Sequence, residues 1–247
     1  MRPNVERNGT TAMTAEAGLH DAVLDRIGRA IVAGEYAEGS PLDLAVIGNE
    51  LKVSRPVVRE AVRVLGTLGM VRAWPKRGTF ITHRSEWSWL HPQVLAWSGD
   101  MHDDIGLLEA VAQMREIIEP KVAAIAAKQR TEQEAAALQS ALVQMAAAAG
   151  QPARFIEADI QFHRILLTAT HNEVLLQVGS VLEAAIRNHD EAVFVRNAKA
   201  ALDLHRQVAE AVGRRAPDDA EHAMQGVLAQ ALSDVQDVAE PPARTGS

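Results

Sequence analysis

The 247-residue chain has no cysteine, which excludes disulfides, thiolate metal sites and cysteine nucleophiles together. Aromatic residues are scarce at 4%. No apolar run approaches the roughly 18 residues that a membrane-spanning helix requires, so no membrane partner is expected. The opening stretch MRPNVERNGTTAMTAEAG lacks the apolar core of a secretion signal. A cytoplasmic protein is the expectation that these absences leave. What is present is an Ala/Leu/Val-rich balance, 47% hydrophobic and 23% charged, which suits a mainly helical chain.

Net charge is −7, which taken alone argues against a nucleic-acid partner, but the charge is unevenly spread. Residues 1–84 carry 12 Lys/Arg against 9 Asp/Glu, and residues 85–247 carry 13 against 23. Within 52–84 the basic residues are Lys52, Arg55, Arg59, Arg63, Arg72, Lys76, Arg77 and Arg84, opposed by Glu60 alone. A concentrated basic segment on an acidic body is the footprint of a small nucleic-acid module joined to something else. A merely solvated face normally mixes both signs.

The local pattern gives that module a shape. Apolar residues recur at helical spacing from Leu19 to Ala33, and Gly34 ends the run. After the turn YAEGSPL a short helix is expected around Leu44–Leu51. A third helix follows with Ser54 as N-cap, Pro56 in its first turn, Val58, Val62, Leu65 and Leu68 as buried stripe, and Gly69 at its close. Met70–Ala73 and Thr79–Thr82 read as strands joined by the basic turn WPKRG, a two-stranded wing. This is a winged helix-turn-helix. Arg55, Arg59 and Arg63 share the face away from the stripe, where guanidinium groups can bridge guanine edges or clamp phosphates of double-stranded DNA. Ser54 can donate to a phosphate at the helix start. Lys76, Arg77 and Gly78 of the wing are expected to reach the DNA backbone or minor groove. The simpler alternative, a helical hairpin with surface arginines, explains neither the wing nor the sign purity.

The stretches AIVAGEYAEGSPL, VSRPVVREAVRVLGTLGMV and RGTFI resemble the DNA-binding domain of GntR-type bacterial transcription regulators across about 60 residues. One departure is clear: family members usually carry Leu-Pro-x-Glu-Arg-x-Leu at the second helix, whereas this chain has PLDLAVI, with Ala45 where an arginine often touches DNA. The burden then falls on Arg55, Arg59, Arg63 and the wing.

The expected organisation is a tail at 1–17, the winged domain at 18–84, a Trp-bearing connector at 85–103 packed between the halves, an all-α antiparallel helical bundle at 104–238, and a tail at 239–247. The bundle reads as six helical blocks: 104–128, 132–149, 152–170, 173–195, 199–214 and 217–238. Pro120 is expected to kink the first. Inside the bundle, Asp159 and His163 stand four residues apart on one helix, His205 lies on another, and Arg115 and Arg187 on two more. Spacing alone leaves two readings open. The three are hydrogen-bonded core residues, or they hold a divalent metal for which oxygen plus imidazole is suited: Zn, Ni, Mn or Fe. An enzyme alternative also stands: His163, His189-Asp190 and Asp203 suit an HD-type metal phosphohydrolase.

The stretches MREIIEPKVAAIAA, ADIQFHRILLTATHNEVL and LHRQVAEAV resemble the effector domain of the FadR subgroup of GntR regulators, the FCD domain. That resemblance implies a divalent metal held by one Asp and three His, and Asp159, His163 and His205 match three of these positions. The fourth His is missing. Val227 stands near its place, and His222 is offset by five residues. The connector RSEWSWLHPQVLAWSGD and the EADIQFH run further resemble sugar-acid-responsive repressors of the subgroup. This implies a small carboxylate effector, such as an aldonate, met by Arg115 and Arg187 with Asn188 or His189 beside them. It also implies a homodimer on a pseudo-palindromic operator, and a regulator rather than an enzyme.

Overall fold

The computed structural model describes residues 8–98, 105–187 and 191–239. It divides into two compact units, Met1–Met101 and His102–Ser247.

In the first unit, helix α1 (Asn8–Val32) takes in residues 8–17 of the expected tail; their sequence contains no proline to break it. Gly34 closes α1 at φ 75°, with Glu35 N–H returning to Ala30 C=O at 2.9 Å, a left-handed C-terminal turn that glycine enters without strain. Helix α2 (Leu44–Glu50) is N-capped by Asp43, whose carboxylate accepts from the N–H groups of Ala45 and Val46. Helix α3 (Arg55–Thr67) buries Val58, Ala61, Val62 and Leu65 against α1 and α2. The tight link between α2 and α3 turns on Lys52 at φ 54°.

The wing has one strand more than the two expected. Strands β2 (Val71–Trp74) and β3 (Gly78–Ile81) form the hairpin, and β1 (Pro41–Leu42) adds to its edge in the order β1-β3-β2. Proline lacks an N–H, so Pro41 is tolerated only at such an edge. Beyond β3, a 3-10 turn (Arg84–Glu86) leads to α4 (Pro92–Ser98). The described part of the connector packs inside this unit: Trp87, Val94 and Trp97 belong to its core. Trp97 donates through Nε1 to Asp25 at 2.9 Å and lies over Gly28, where an added Cβ would sit 2.5 Å from the ring.

The second unit is helical: α5 (Ile105–Gln129), α6 (Glu132–Ala147), α7 (Pro152–Ala169), α8 (Glu173–Leu176), α9 (Gly179–Arg187), α10 (Glu191–Gly213) and α11 (Pro217–Ala239). The block expected at 173–195 is two helices, because the Gln177–Val178 turn interrupts it, and α10 begins at Glu191 rather than 199. α5 packs on α11 and α7, and α10 on α11 and α6. Alanines such as Ala123, Ala126, Ala127 and Ala211 let these helices approach around Phe155, Phe162 and Met224. α6 starts with a capping box in which Thr131 and Glu134 satisfy each other's backbone N–H groups. Two arginines cross-cap the ends of α5 and α10. Arg130 donates to the carbonyls of Val212 and Gly213, and Arg215 to those of Lys128 and Arg130. Among the described residues no helix is long and apolar enough to cross a membrane.

Candidate nucleic-acid interface and metal centre

The amphipathic pattern of α3 forces its charged residues outward. Arg55, Arg59 and Arg63 are all exposed, but they are not equivalent. Arg63 is held by Glu60, with Nε 3.0 Å from both carboxylate oxygens, and the pair raises the arginine pKa while lowering that of the glutamate. Arg55 and Arg59 have no ion-pair partner among the described residues. Ser54 occupies the N-cap position of α3, yet its hydroxyl makes no capping bond. At the wing tip, Lys76 (φ 62°) and Gly78 (φ 101°) shape the turn in the left-handed region, and both are exposed, as is Arg77. Arg72 is tied to Glu86 in an ion pair.

The second cluster forms where α5, α7 and α10 meet. Helical spacing brings Asp159 and His163 of α7 to one side, and α10 presents His205 opposite. His205 Nε2 is 2.9 Å from Asp159 Oδ1, His163 Nε2 is 3.4 Å from the same oxygen, and the two Nε2 atoms are 3.4 Å apart. Each imidazole is backed on its other nitrogen. His205 Nδ1 donates to Ala201 C=O at 2.7 Å, and His163 Nδ1 lies 2.6 Å from Glu119 Oε2. Glu119 is in turn ion-paired with Arg115, Nε to Oε1 at 2.6 Å. Phe162 walls the cluster, its ring edge-on to both imidazoles at centroid distances of 5.9 and 5.0 Å.

Nearly all of this is buried: Glu119 is 1% exposed, and His163 and His205 are 3% each. Burial pushes the Glu119 carboxyl up, but the Arg115 and His163 cations outweigh it and hold the group at about 2. Burial depresses His163, yet the carboxylates of Glu119 and Asp159 raise it to about 9. Asp159 is likewise opposed by burial and held far below the usual carboxylate range by His205 and His163. Two carboxylates against one permanent cation leave the cluster wanting one more positive charge, and a proton or a metal ion can supply it.

The donor set passes a test of fit for a metal. Ligands about 2.0–2.1 Å from a tetrahedral or octahedral ion stand roughly 3.0–3.4 Å apart, and the three separations here are 2.9, 3.4 and 3.4 Å. Asp159 Oδ1, like Glu119 Oε2 and His163 Nδ1, is buried without an aligned hydrogen bond, and the Nε2 atoms of both imidazoles face it. Among the described residues this is the group of Asp, Glu and His able to hold an ion.

Other expected site residues are placed differently. Arg187 is exposed and ion-paired with Glu157 on the outer side of α7, so it is not brought to the cluster. Asn188 lies outside the described residues, as do His189 and Asp190. Val227 is buried in the core, while His222 is exposed. Glu119 went unnoticed in the sequence. The available signal was its position four residues after Arg115 and three before the buried Val122, which sets it on the core side of α5.

A winged helix-turn-helix followed by a helical bundle with a buried polar centre defines a DNA-binding transcription regulator with a sensing domain. Residues 19–81 match the bacterial regulatory proteins of the gntR family, and residues 110–230 match the FCD domain. The galactonate operon transcriptional repressor of Escherichia coli K12 is 31% identical over 226 residues, covering 88% of this chain and 97% of its own length. A transcriptional repressor, NanR, of Cronobacter sakazakii is 27% identical, covering 85% and 83%. Among solved structures, Lar of Listeria monocytogenes shares the fold at 15% identity with a TM-score of 0.63, covering 89% of this chain and 97% of Lar. The chain belongs to the GntR family, with an FCD domain, and is a transcription regulator rather than an enzyme. The phosphohydrolase alternative is thereby set aside, and Asp203, one of its members, is half-exposed and paired with Arg206.

Proposed function

We propose that this protein is a repressor that binds a pseudo-palindromic operator as a homodimer and is switched by a small carboxylate of the sugar-acid class bound in the helical unit. The observation that carries this reading is the buried Arg115–Glu119–His163 chain ending at Asp159 and His205. Arg115 is 8% exposed, and only its Nε is taken up, by Glu119. Its terminal nitrogens have no partner among the described residues and are not among the sealed, unbonded atoms. They are therefore available to an incoming carboxylate.

Asp159, His163 and His205 would hold a divalent ion, which when bound supplies a Lewis-acidic centre for ligand oxygens. Three protein ligands suit a site that shares its ion with a ligand. Phe162 and the surrounding core keep water from the imidazoles, and Glu119 orients His163. The similarity to a galactonate operon repressor favours an aldonate over other small acids. Effector binding would favour a state whose two α3 helices no longer match the operator half-sites.

A thermal-shift screen of aldonates and other small carboxylates, with and without chelator, tests this reading. An aldonate should raise Tm, and chelator or Arg115→Ala should abolish the rise. Arg59→Ala should keep the rise and lose operator binding. If no small carboxylate shifts Tm in metal-loaded protein, the effector class is wrong; wild-type operator affinity in Arg59→Ala would remove α3 as the reading helix.

A further inference from the structure

Of the four tryptophans, two are buried in the core of the first unit and a third packs against it. Trp97 is 1% exposed, Trp87 is 5% exposed, and Trp89 is half-buried with its Nε1 bonded to Arg84 C=O at 2.9 Å. Trp74 is 47% exposed. A large indole left open to water at the end of β2 has no role in the core, and its surroundings indicate what covers it.

Strand alternation puts Arg72, Trp74, Gly78 and Phe80 on one face of the wing, with Arg72 opposite Phe80 and Trp74 opposite Gly78. The other face carries Val71, Thr79 and Ile81, all buried. Because Gly78 has no side chain, nothing rises from β3 to cover the Trp74 ring. Trp74, Phe80 and Arg77 line a groove of about 560 Å³ together with Glu38, His83 and Glu86. Glu86 is neutralised by an ion pair, whereas Glu38 is offset only when the neighbouring His83 is protonated. Glu86 pairs with Arg72, while Glu38 accepts from Arg84 N–H at 3.1 Å and lies 3.3 Å from His83 Nε2. The cations left over outnumber this one carboxylate. Arg77, its guanidinium 5.9 Å from the Phe80 ring, and the neighbouring Lys76 have no ion-pair partner among the described residues.

We propose that this outer sheet face is a DNA contact surface, in which Trp74 lies against the deoxyribose edge of the duplex backbone beside the segment read by α3. A nucleic-acid strand alternates anionic phosphates with apolar sugar faces, matching an indole flanked by uncompensated cations. An acidic protein segment would also satisfy the cations, but this face belongs to the DNA-binding unit, where the phosphate backbone is the partner at hand. The contribution is of a different kind from that of Arg55, Arg59 or Arg77. Cation–phosphate contacts release counterions and weaken with salt, whereas an indole–sugar contact releases none.

The test uses the full-length protein and a duplex selected from a random-sequence library by the wild type. Affinity is measured between about 50 and 200 mM salt, alongside hydroxyl-radical footprints that report protection of individual sugars. Trp74→Ala should weaken binding by about tenfold at every salt concentration. Its log–log salt slope should not change, and protection of the flanking sugars should be lost. Trp74→Phe should keep most of the affinity, whereas Arg77→Ala should make the slope shallower by about 0.9. Wild-type affinity and footprint in Trp74→Ala would overturn the proposal and leave the face to a protein partner. A change of slope in Trp74→Ala would also overturn it, because the ring would then merely support Arg77. Melting temperature, expected to stay at the wild-type value for a half-exposed side chain, separates these outcomes from misfolding.

Discussion

A carboxylate with 1% exposure stays ionised only if its surroundings supply the charge that water would have screened. Glu119 has two such suppliers, Arg115 on one oxygen and His163 on the other. Its chemical consequence lies one residue further on. With Glu119 at Nδ1, the Nε2 atom of His163 faces Asp159 and His205, the arrangement that fixes the orientation and basicity of a metal-binding imidazole. Glu119→Gln keeps the shape and removes the charge. Zn²⁺ affinity, measured by competition with a chromogenic chelator, is expected to fall by about 10- to 100-fold; an unchanged affinity would reduce Glu119 to a packing residue. The sequence exposed this site unevenly. Asp159 and His163 were legible because four-residue spacing on a helix fixes proximity. His205 was legible only as a polar interruption of an apolar stripe. The role of Arg187 could not be read, because facing Glu157 or facing the cluster differs by a modest rotation of α9 that spacing does not resolve.

At the scale of elements, the first unit is fastened where the connector crosses the end of α3. Gly69 sits there at φ 76°, and an added Cβ would meet the Glu86 carbonyl oxygen at 2.2 Å. Ser88 N–H bonds to Leu68 C=O at 2.9 Å, and Trp87 donates to Thr82 at 3.1 Å across the same crossing. Gly69→Ala therefore combines left-handed strain with a backbone clash, and should destabilise this unit by roughly 2–4 kcal/mol. In calorimetry, a transition for the first unit should move down while that of the helical unit stays. Helix α3 was legible to within a residue or two, since its stripe, its early proline and Gly69 all agree. Strand β1 was not: two residues, one of them proline, make no alternation, and it exists only because β3 offers an edge. The start of α10 at Glu191 was not legible because the polar sequence RNHDEA holds neither glycine nor proline to mark a helix start.

For the whole molecule, the separation of charge along the chain sets how it meets DNA. The acidic remainder repels phosphate, so attraction is confined to the basic module, and within it Arg63 and Arg72 are already neutralised by Glu60 and Glu86. Of the other six basic residues in 52–84, Arg84 stacks on Trp87 and Trp89 and Lys52 lies in the α2–α3 turn, which leaves Arg55, Arg59, Lys76 and Arg77 for the proposed DNA face. At about −0.9 per phosphate contact, operator affinity should fall with salt at a log–log slope of roughly −3 to −4 per module, and twice that for a dimer. Filter-binding titrations across salt concentrations would check this. A slope near zero would mean that these cations do not face the backbone.

The placement of Trp97, Trp87 and Trp89 has a practical corollary. All four tryptophans and the single tyrosine, Tyr36, fall within residues 1–101, and the helical unit has neither. Essentially all absorbance at 280 nm and all indole emission therefore originate in the DNA-binding half. A non-absorbing ligand bound in the other half cannot perturb a chromophore it touches. A change in emission when such a ligand is added would therefore report on the surroundings of residues in the first unit, without a label.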